Sequence, residues 1–108
     1  MQGVNVLIAT YVGDNQPGWV ECKLTDVQGR EWRFVEKLPI VTRDSLNASS
    51  NLPQPGVIAC EVISNSFDLA GSAIAEIDTT RPWGVESTEG VTRFVVRSEQ
   101  LVNFEGVV

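Results

Sequence analysis

Histidine is absent from the 108-residue chain. That single absence removes imidazole acid–base catalysis, the serine triads and most transition-metal sites. Cysteine is scarce. Cys22 and Cys60 are the only two, too few for a disulfide framework or a thiolate metal site. Both stand in apolar runs, so they are expected as buried, reduced thiols acting as small hydrophobes. Neither has a histidine to activate it. Phosphate-cradling loops of the G-x-x-x-x-G-K or G-x-G-x-x-G type are also missing. No apolar run approaches the ~18 residues of a membrane span. Met1 to Val12 has neither a basic leader nor a small-residue cleavage site. No signal peptide is therefore expected, and the cytoplasm is the default location. These gaps predict no cofactor and no metal.

Positive charge is also in short supply. Eight Lys and Arg against fourteen Asp and Glu leave a net charge of −6. The imbalance sits in the second half. Residues 1–54 carry six acids and five bases, residues 55–108 eight acids and three bases. A nucleic-acid binder needs a basic footprint to neutralise phosphates, and this chain lacks one. An anionic membrane surface is disfavoured for the same reason. A protein partner, a basic one included, is compatible with the charge.

What the chain does contain is β-pattern. Hydrophobic residues make up 43%, enough for one core in one domain of this length. In Gly18–Thr25, Val20, Cys22 and Leu24 fall on one face and Trp19, Glu21 and Lys23 on the other. That is the period of a half-buried strand. Asp26-Val-Gln-Gly29 follows, with the Asp and Gly spacing of a type I turn closed by a left-handed glycine. This turn would pair Asp26 with Arg30, and hence Leu24 with Trp32 and Cys22 with Phe34. The apolar faces then coincide, so pattern and register agree. Glu21, Lys23, Glu31 and Arg33 read as the solvated outer face of the same hairpin.

The same turn chemistry recurs. Val57–Ser64 leads through Ser64–Phe67, where a bulge is expected, to Asp68-Leu-Ala-Gly71 and Ala73–Asp78. Val85–Ser87 leads to Ser87-Thr-Glu-Gly90 and Val91–Arg97. Val4–Val12 reads as an opening strand followed by a turn over Asp14–Gly18. Pro-Gly-x-x-x-Cys occurs twice, ending at Cys22 and Cys60, 38 residues apart. If it marks a duplication, the two cysteines hold equivalent core positions. Thr42–Leu46 reads as one short helical turn capped by Thr42. Residues 47–56 read as a surface loop, and Ser98–Leu101 as a tight turn before a last short strand. The expected fold is all-β: a small, partly open antiparallel barrel of six to eight short strands. Trp32, Phe34, Phe94, Ile58, Val62 and Leu24 are the expected interior.

The richest segment chemically is Asp78–Ser87. Asp78, Arg81, Trp83 and Glu86 place two acids, an arginine and a tryptophan in one turn-rich connection. Trp and Arg are the residue types that dominate binding hot spots. Two readings of Trp83 stand side by side: an exposed recognition residue, or a cap on one end of the barrel. Trp19 is a second candidate, since alternation points it away from the apolar face of its strand.

Three stretches carry a resemblance. Cys22-x-Leu-Thr-Asp-x-x-Gly-Arg-x-Trp-x-Phe-x-Glu-Lys37, Pro55-Gly-x-Ile-x-Cys60 and Asp78-Thr-x-x-Pro-Trp-Gly-x-Glu-Ser87 resemble a group of small uncharacterised bacterial β proteins, over residues 18–102. The resemblance implies a compact bacterial β domain. It carries no activity, and no catalytic or binding residue is transferred. Function is then expected as non-catalytic protein interaction, of which an antitoxin- or immunity-like role is one instance. The alternatives are a small-ligand-binding β-barrel, with Trp83 or Trp19 stacking on a flat molecule, and a hydrolase using a pair of carboxylates.

Overall fold

The computed structural model describes residues 1–13, 18–44, 46–47 and 49–104. Among these, eight strands and one helical turn follow in chain order: β1 (Gln2–Gly13), β2 (Trp19–Thr25), β3 (Glu31–Lys37), α1 (Leu38–Val41), β4 (Gln54–Ala59), β5 (Glu61–Phe67), β6 (Ala73–Asp78), β7 (Arg93–Arg97) and β8 (Leu101–Asn103). All pairings are antiparallel. One sheet has the order β3-β2-β1-β4, with β8 also on β1; the other has the order β5-β6-β7. The fold is all-β and partly open, not a closed barrel.

β1 organises the larger sheet. Val4 pairs with both Ile58 and Leu101, and Leu7 with both Lys23 and Pro55. β4 therefore lies along one edge of β1, while β8 and β2 share the other. The sheets join at two corners. β4 turns into β5 at Cys60, whose N–H donates to the Gln2 carbonyl at 3.0 Å. β7 turns into β8 through the 3-10 turn Ser98–Gln100, as expected for that segment. Val27 N–H also donates to the Val95 carbonyl, 3.0 Å away, tying the β2–β3 turn to β7.

The first hairpin has the expected register: Leu24 faces Trp32 and Cys22 faces Phe34. The turn chemistry is repeated three times with one geometry. Asp26, Asp68 and Ser87 each accept from the backbone N–H groups two and four residues on through one side-chain oxygen, at 2.9–3.3 Å. Each turn closes on a glycine with positive φ: Gly29 at 81°, Gly71 at 83°, Gly90 at 79°. The second hairpin does carry a bulge, but it lies between Val62 and Ser64 and not within Ser64–Phe67, which pair regularly with Ala73–Glu76.

Four expectations are corrected. The helical turn is Leu38–Val41 and not Thr42–Leu46. Pro39 presets the helical φ in the first turn, and Thr42 is the C-cap, its hydroxyl accepting from Asp44 N–H at 3.1 Å; Ser45 lies outside the described residues. Val85–Ser87 is not a strand. It makes isolated backbone bonds to Thr79 and Val91, the next residue, Thr88, donates its N–H to the Arg33 carbonyl, and β7 pairs with β6 instead. Trp32 and Val62 are half-buried rather than interior, packing against the core from its margin. The two cysteines are not equivalent: Cys22 lies mid-strand opposite Ile8, Cys60 at the corner opposite Gln2. Those β1 positions are six residues apart, roughly 20 Å of strand, and a disulfide needs Cα atoms within about 7 Å. Most of the turn expected over Asp14–Gly18 lies outside the described residues.

The core joins both sheets. Val4, Ile8, Val20, Leu24, Phe34, Ile58, Ile77 and Val96 are essentially without solvent exposure. Phe94 lies edge-on to both Trp32 and Phe34, centroids 5.3 and 5.6 Å apart. Such pairs add about 0.5–1.5 kcal/mol beyond area burial. On the outer face of the first hairpin the register sets Lys23 opposite Arg33. Diagonal ion pairs relieve that repulsion, Lys23 with Glu31 at 3.5 Å and Arg33 with Glu21 at 3.9 Å.

Candidate functional site

A cleft of about 460 Å³ opens beside α1. Three segments wall it. Pro39 and Ile40 come from α1, Pro55, Gly56 and Val57 from β4, and Trp83 from the β6–β7 connection. Phe104 and Asn5 close the end next to β8, and Thr42 and Arg43 continue the α1 wall. The volume falls within the ~300–1,000 Å³ of ligand clefts. The walls are mostly apolar, and Arg43 is the only charged residue among the described residues that line them.

Gly56 permits this arrangement. A Cβ there would lie 2.9 Å from Ile8 Cγ1 and 3.0 Å from the Val41 carbonyl oxygen. Without a side chain at 56, α1 settles directly on β4 with no adjustment of Ile8 or Val41. The duplicated Pro-Gly pair in the sequence was the one local signal near this contact.

Thr79 positions the Trp83 wall. It is fully buried. Its hydroxyl donates to the Val85 carbonyl at 2.7 Å, its N–H to the Thr92 carbonyl at 2.9 Å, and its carbonyl accepts from Val85 N–H at 3.1 Å. These bonds pinch residues 79–85 into a compact loop. Gly84, at φ 65°, completes the bend, and its N–H donates to the Thr80 carbonyl at 2.6 Å. The Arg81–Pro82 peptide is cis. Trp83 is consequently held half-buried, with one part against the core and another lining the cleft.

The other predicted site residues scatter. Asp78 ends β6 and serves the loop: its Oδ1 accepts from Thr80 N–H at 2.8 Å, and its Oδ2 lies 3.5 Å from Arg93 Nε. The Thr80 N–H, the Thr80 hydroxyl and the Arg93 charge together outweigh slight desolvation and hold this carboxyl below its ordinary value. Arg81 is exposed and forms no ion pair among the described residues; the partner of Asp78 is Arg93 on the neighbouring strand. Glu86 is exposed as well. Trp19 is half-buried at the start of β2, paired across the ladder with Lys37, whose Nζ lies 5.8 Å from the ring centroid. Of these five residues only Trp83 lines the cleft.

Comparison of the chain with protein-family models, curated proteins and solved structures finds no match. The site must therefore be read from its own chemistry. Among the described residues, no carboxylate and no thiol lines the cleft. The described carboxylates nearest to structured environments are engaged elsewhere: Asp26 and Asp68 in turns, Glu76 and Asp78 beside Arg93. Both thiols are buried, and burial pushes Cys22 up to about 12, helped by Glu36 and Glu21, and Cys60 up to about 11. No group of three or more Cys, Asp or Glu among the described residues is arranged to hold a metal ion. No helix of the described chain is long and apolar enough to cross a membrane.

Proposed function

We propose that this chain is a non-catalytic protein-interaction module that receives an apolar segment of a partner protein in the Trp83 cleft. One observation carries the reading: Trp83, half-buried against the core, also forms a wall of an open apolar cleft. An apolar centre with a polar rim is the ordinary anatomy of an interface. Trp83 supplies a large, rigid anchor surface, and the exposed Arg81 and Glu86 lie beside it in the chain. Tryptophan and arginine are the residues most often found to dominate such contacts. The apolar character of the described lining favours binding of an apolar segment there.

The test uses random peptides displayed on phage and panned against the immobilised chain. Enriched peptides should bind the unaltered protein and lose at least about tenfold in affinity to Trp83→Ala, a step of ~1.4 kcal/mol. A thermal melt of Trp83→Ala checks that the fold survives. The reading fails if no peptide is enriched, or if bound peptides are indifferent to Trp83→Ala and to Pro39→Glu on the opposite wall.

A further inference from the structure

Strand edges leave backbone hydrogen-bonding groups unpaired, and each open edge is a template for another strand. The two sheets end on β3, β4, β5 and β7. Two of these edges are bonded from within the chain. The Arg33 carbonyl on β3 accepts from Thr88 N–H at 2.8 Å, and the Val95 carbonyl on β7 from Val27 N–H at 3.0 Å. β5 is mostly exposed, and none of the described residues lining the Trp83 cleft comes from it. β4 differs, because Pro55, Gly56 and Val57 lie in the cleft wall.

The register shows which β4 groups are free. Backbone groups along an antiparallel strand point to its two edges in turn. Cys60 N–H donates to the Gln2 carbonyl at 3.0 Å, so Cys60 faces β1. Ile58 and Gly56, opposite Val4 and Val6, fall in the same phase. The phase on β1 agrees, since Phe104 N–H, on its other edge, donates to the Met1 carbonyl at 2.9 Å. The N–H and C=O of Val57 and the C=O of Pro55 therefore point away from β1. No described strand lies on that side of β4, and no backbone group of the described residues bonds to them. Pro55 fits this phase: proline inside a strand belongs where its missing N–H would face off the ladder.

This edge is flanked by apolar side chains. Val57 and Asn5 are ladder partners on the outward face of the sheet. Phe104 lies beside them over Gly3, where a Cβ would come 2.6 Å from Phe104 Cε1 and 2.5 Å from Val57 Cγ1. Ile40 and Trp83 pack against the core. The open edge thus runs between an outer wall of Val57 and Phe104 and an inner wall of Ile40 and Trp83.

Resting on the docking reading above, we infer that the segment received by the cleft is an extended strand of a partner protein, which pairs with β4 at Val57 and Pro55 and lengthens the larger sheet by one strand. An extended backbone answers the unpaired donor and acceptors of this edge. A helix does not, because its own N–H and C=O groups are bonded internally. Side chains of the added strand alternate, one set against Trp83 and Ile40 and the other against Phe104 and Val57. The segment therefore carries apolar residues in both sets, and an N–H wherever it faces Val57 or Pro55.

The test takes a peptide enriched by panning against the chain and synthesises it with a single N-methyl group at each position in turn. N-methylation removes one donor and leaves the side chain in place. Affinity should fall at least about tenfold at every second position across the centre of the peptide and stay within about threefold at the positions between. Hydrogen exchange of the Val57 amide, followed in the full chain, should slow at least about tenfold when the peptide binds. A bound peptide that leaves the Val57 amide unprotected overturns the inference while the docking module stands. So does an N-methyl response without a period of two, and dependence on side chains three and four apart would identify a helix as the occupant. Failure to enrich any peptide that responds to Trp83→Ala removes the module reading itself, and this inference with it.

Discussion

Asp26 shows how much one side chain can hold. Its Oδ1 accepts from Gln28 and Arg30 N–H groups at 2.9 and 3.0 Å, and its Oδ2 accepts from the Trp32 indole at 2.9 Å. The Arg30 guanidinium lies 3.7 Å above the same indole ring and reaches Glu89 at 3.1 Å. Desolvation raises the Asp26 carboxyl, but the bonds from Trp32, Arg30 and Gln28 and the Arg30 charge outweigh it, so its pKa lies below the ordinary value. Asp26→Ala should cost about 1–3 kcal/mol in a denaturant melt, since three donors lose an acceptor. The pH dependence follows from the direction of the shift. A depressed carboxyl contributes stability that is present above its unfolded pKa and is lost as pH falls through its folded pKa. The acid limb of the melt should therefore be shallower in Asp26→Ala than in the unaltered protein. An equal slope in both would exclude this carboxylate as a source of acid sensitivity. The Asp26 turn was legible in the sequence because a turn is local: an Asp and a Gly three residues apart are sufficient. The indole bond was not, since it depends on Trp32 standing on the returning strand.

At the scale of elements, hairpins declared themselves and corners did not. Alternation fixed the β2–β3 register because one face had to be buried, and a slip of one residue would turn Phe34 outward. Glu36 falls in the same phase as Trp32 and Phe34. Burial accordingly pushes its carboxyl up, the Glu86 charge adds to this, and Lys37 partly offsets it. α1 was misplaced by four residues because Thr42 resembles an N-cap, whereas Pro39 and the contact with β4 decide where the turn forms. That contact gives a prediction. Gly56→Ala sets its new methyl 2.9 Å from Ile8 Cγ1 and 3.0 Å from the Val41 carbonyl oxygen, so the Ile8 side chain and the end of α1 must give way. The expected cost is about 1–3 kcal/mol, as for overpacked sites, together with weaker peptide binding in the cleft. Unchanged stability and binding would show that the α1–β4 seat adapts freely.

At the scale of the molecule, both cysteines belong to one core spanning two sheets. Their pKa values, pushed up to about 12 and about 11, leave almost no thiolate near neutral pH. Native thiol labelling at pH 8 should be slow for both and become fast on unfolding, with a rate set by opening of the core. Rapid native labelling of Cys22 would contradict the burial of β2. Labelling of Cys60 alone would show that the β4–β5 corner opens separately from the larger sheet.

Strand class, the three glycine-closed turns, the first hairpin's register and the lack of histidine are all legible along the chain. Each rests on composition or on residues within a few positions of one another, where backbone sterics and period-two burial act directly. Trp83 also stands out there, because tryptophan beside Arg, Pro and Gly is chemically conspicuous. Where Trp83 sits depends on contacts that no local pattern holds. The cleft draws Asn5, Ile40, Val57, Trp83 and Phe104 from segments far apart in the chain, and no local pattern relates them. They meet because β1 pairs with β4 on one edge and β8 on the other, while Gly56 lets α1 lie close and buried Thr79 folds the Trp83 loop toward both. Long-range pairing places these walls together, and long-range pairing is the part of a β fold that a linear pattern does not encode.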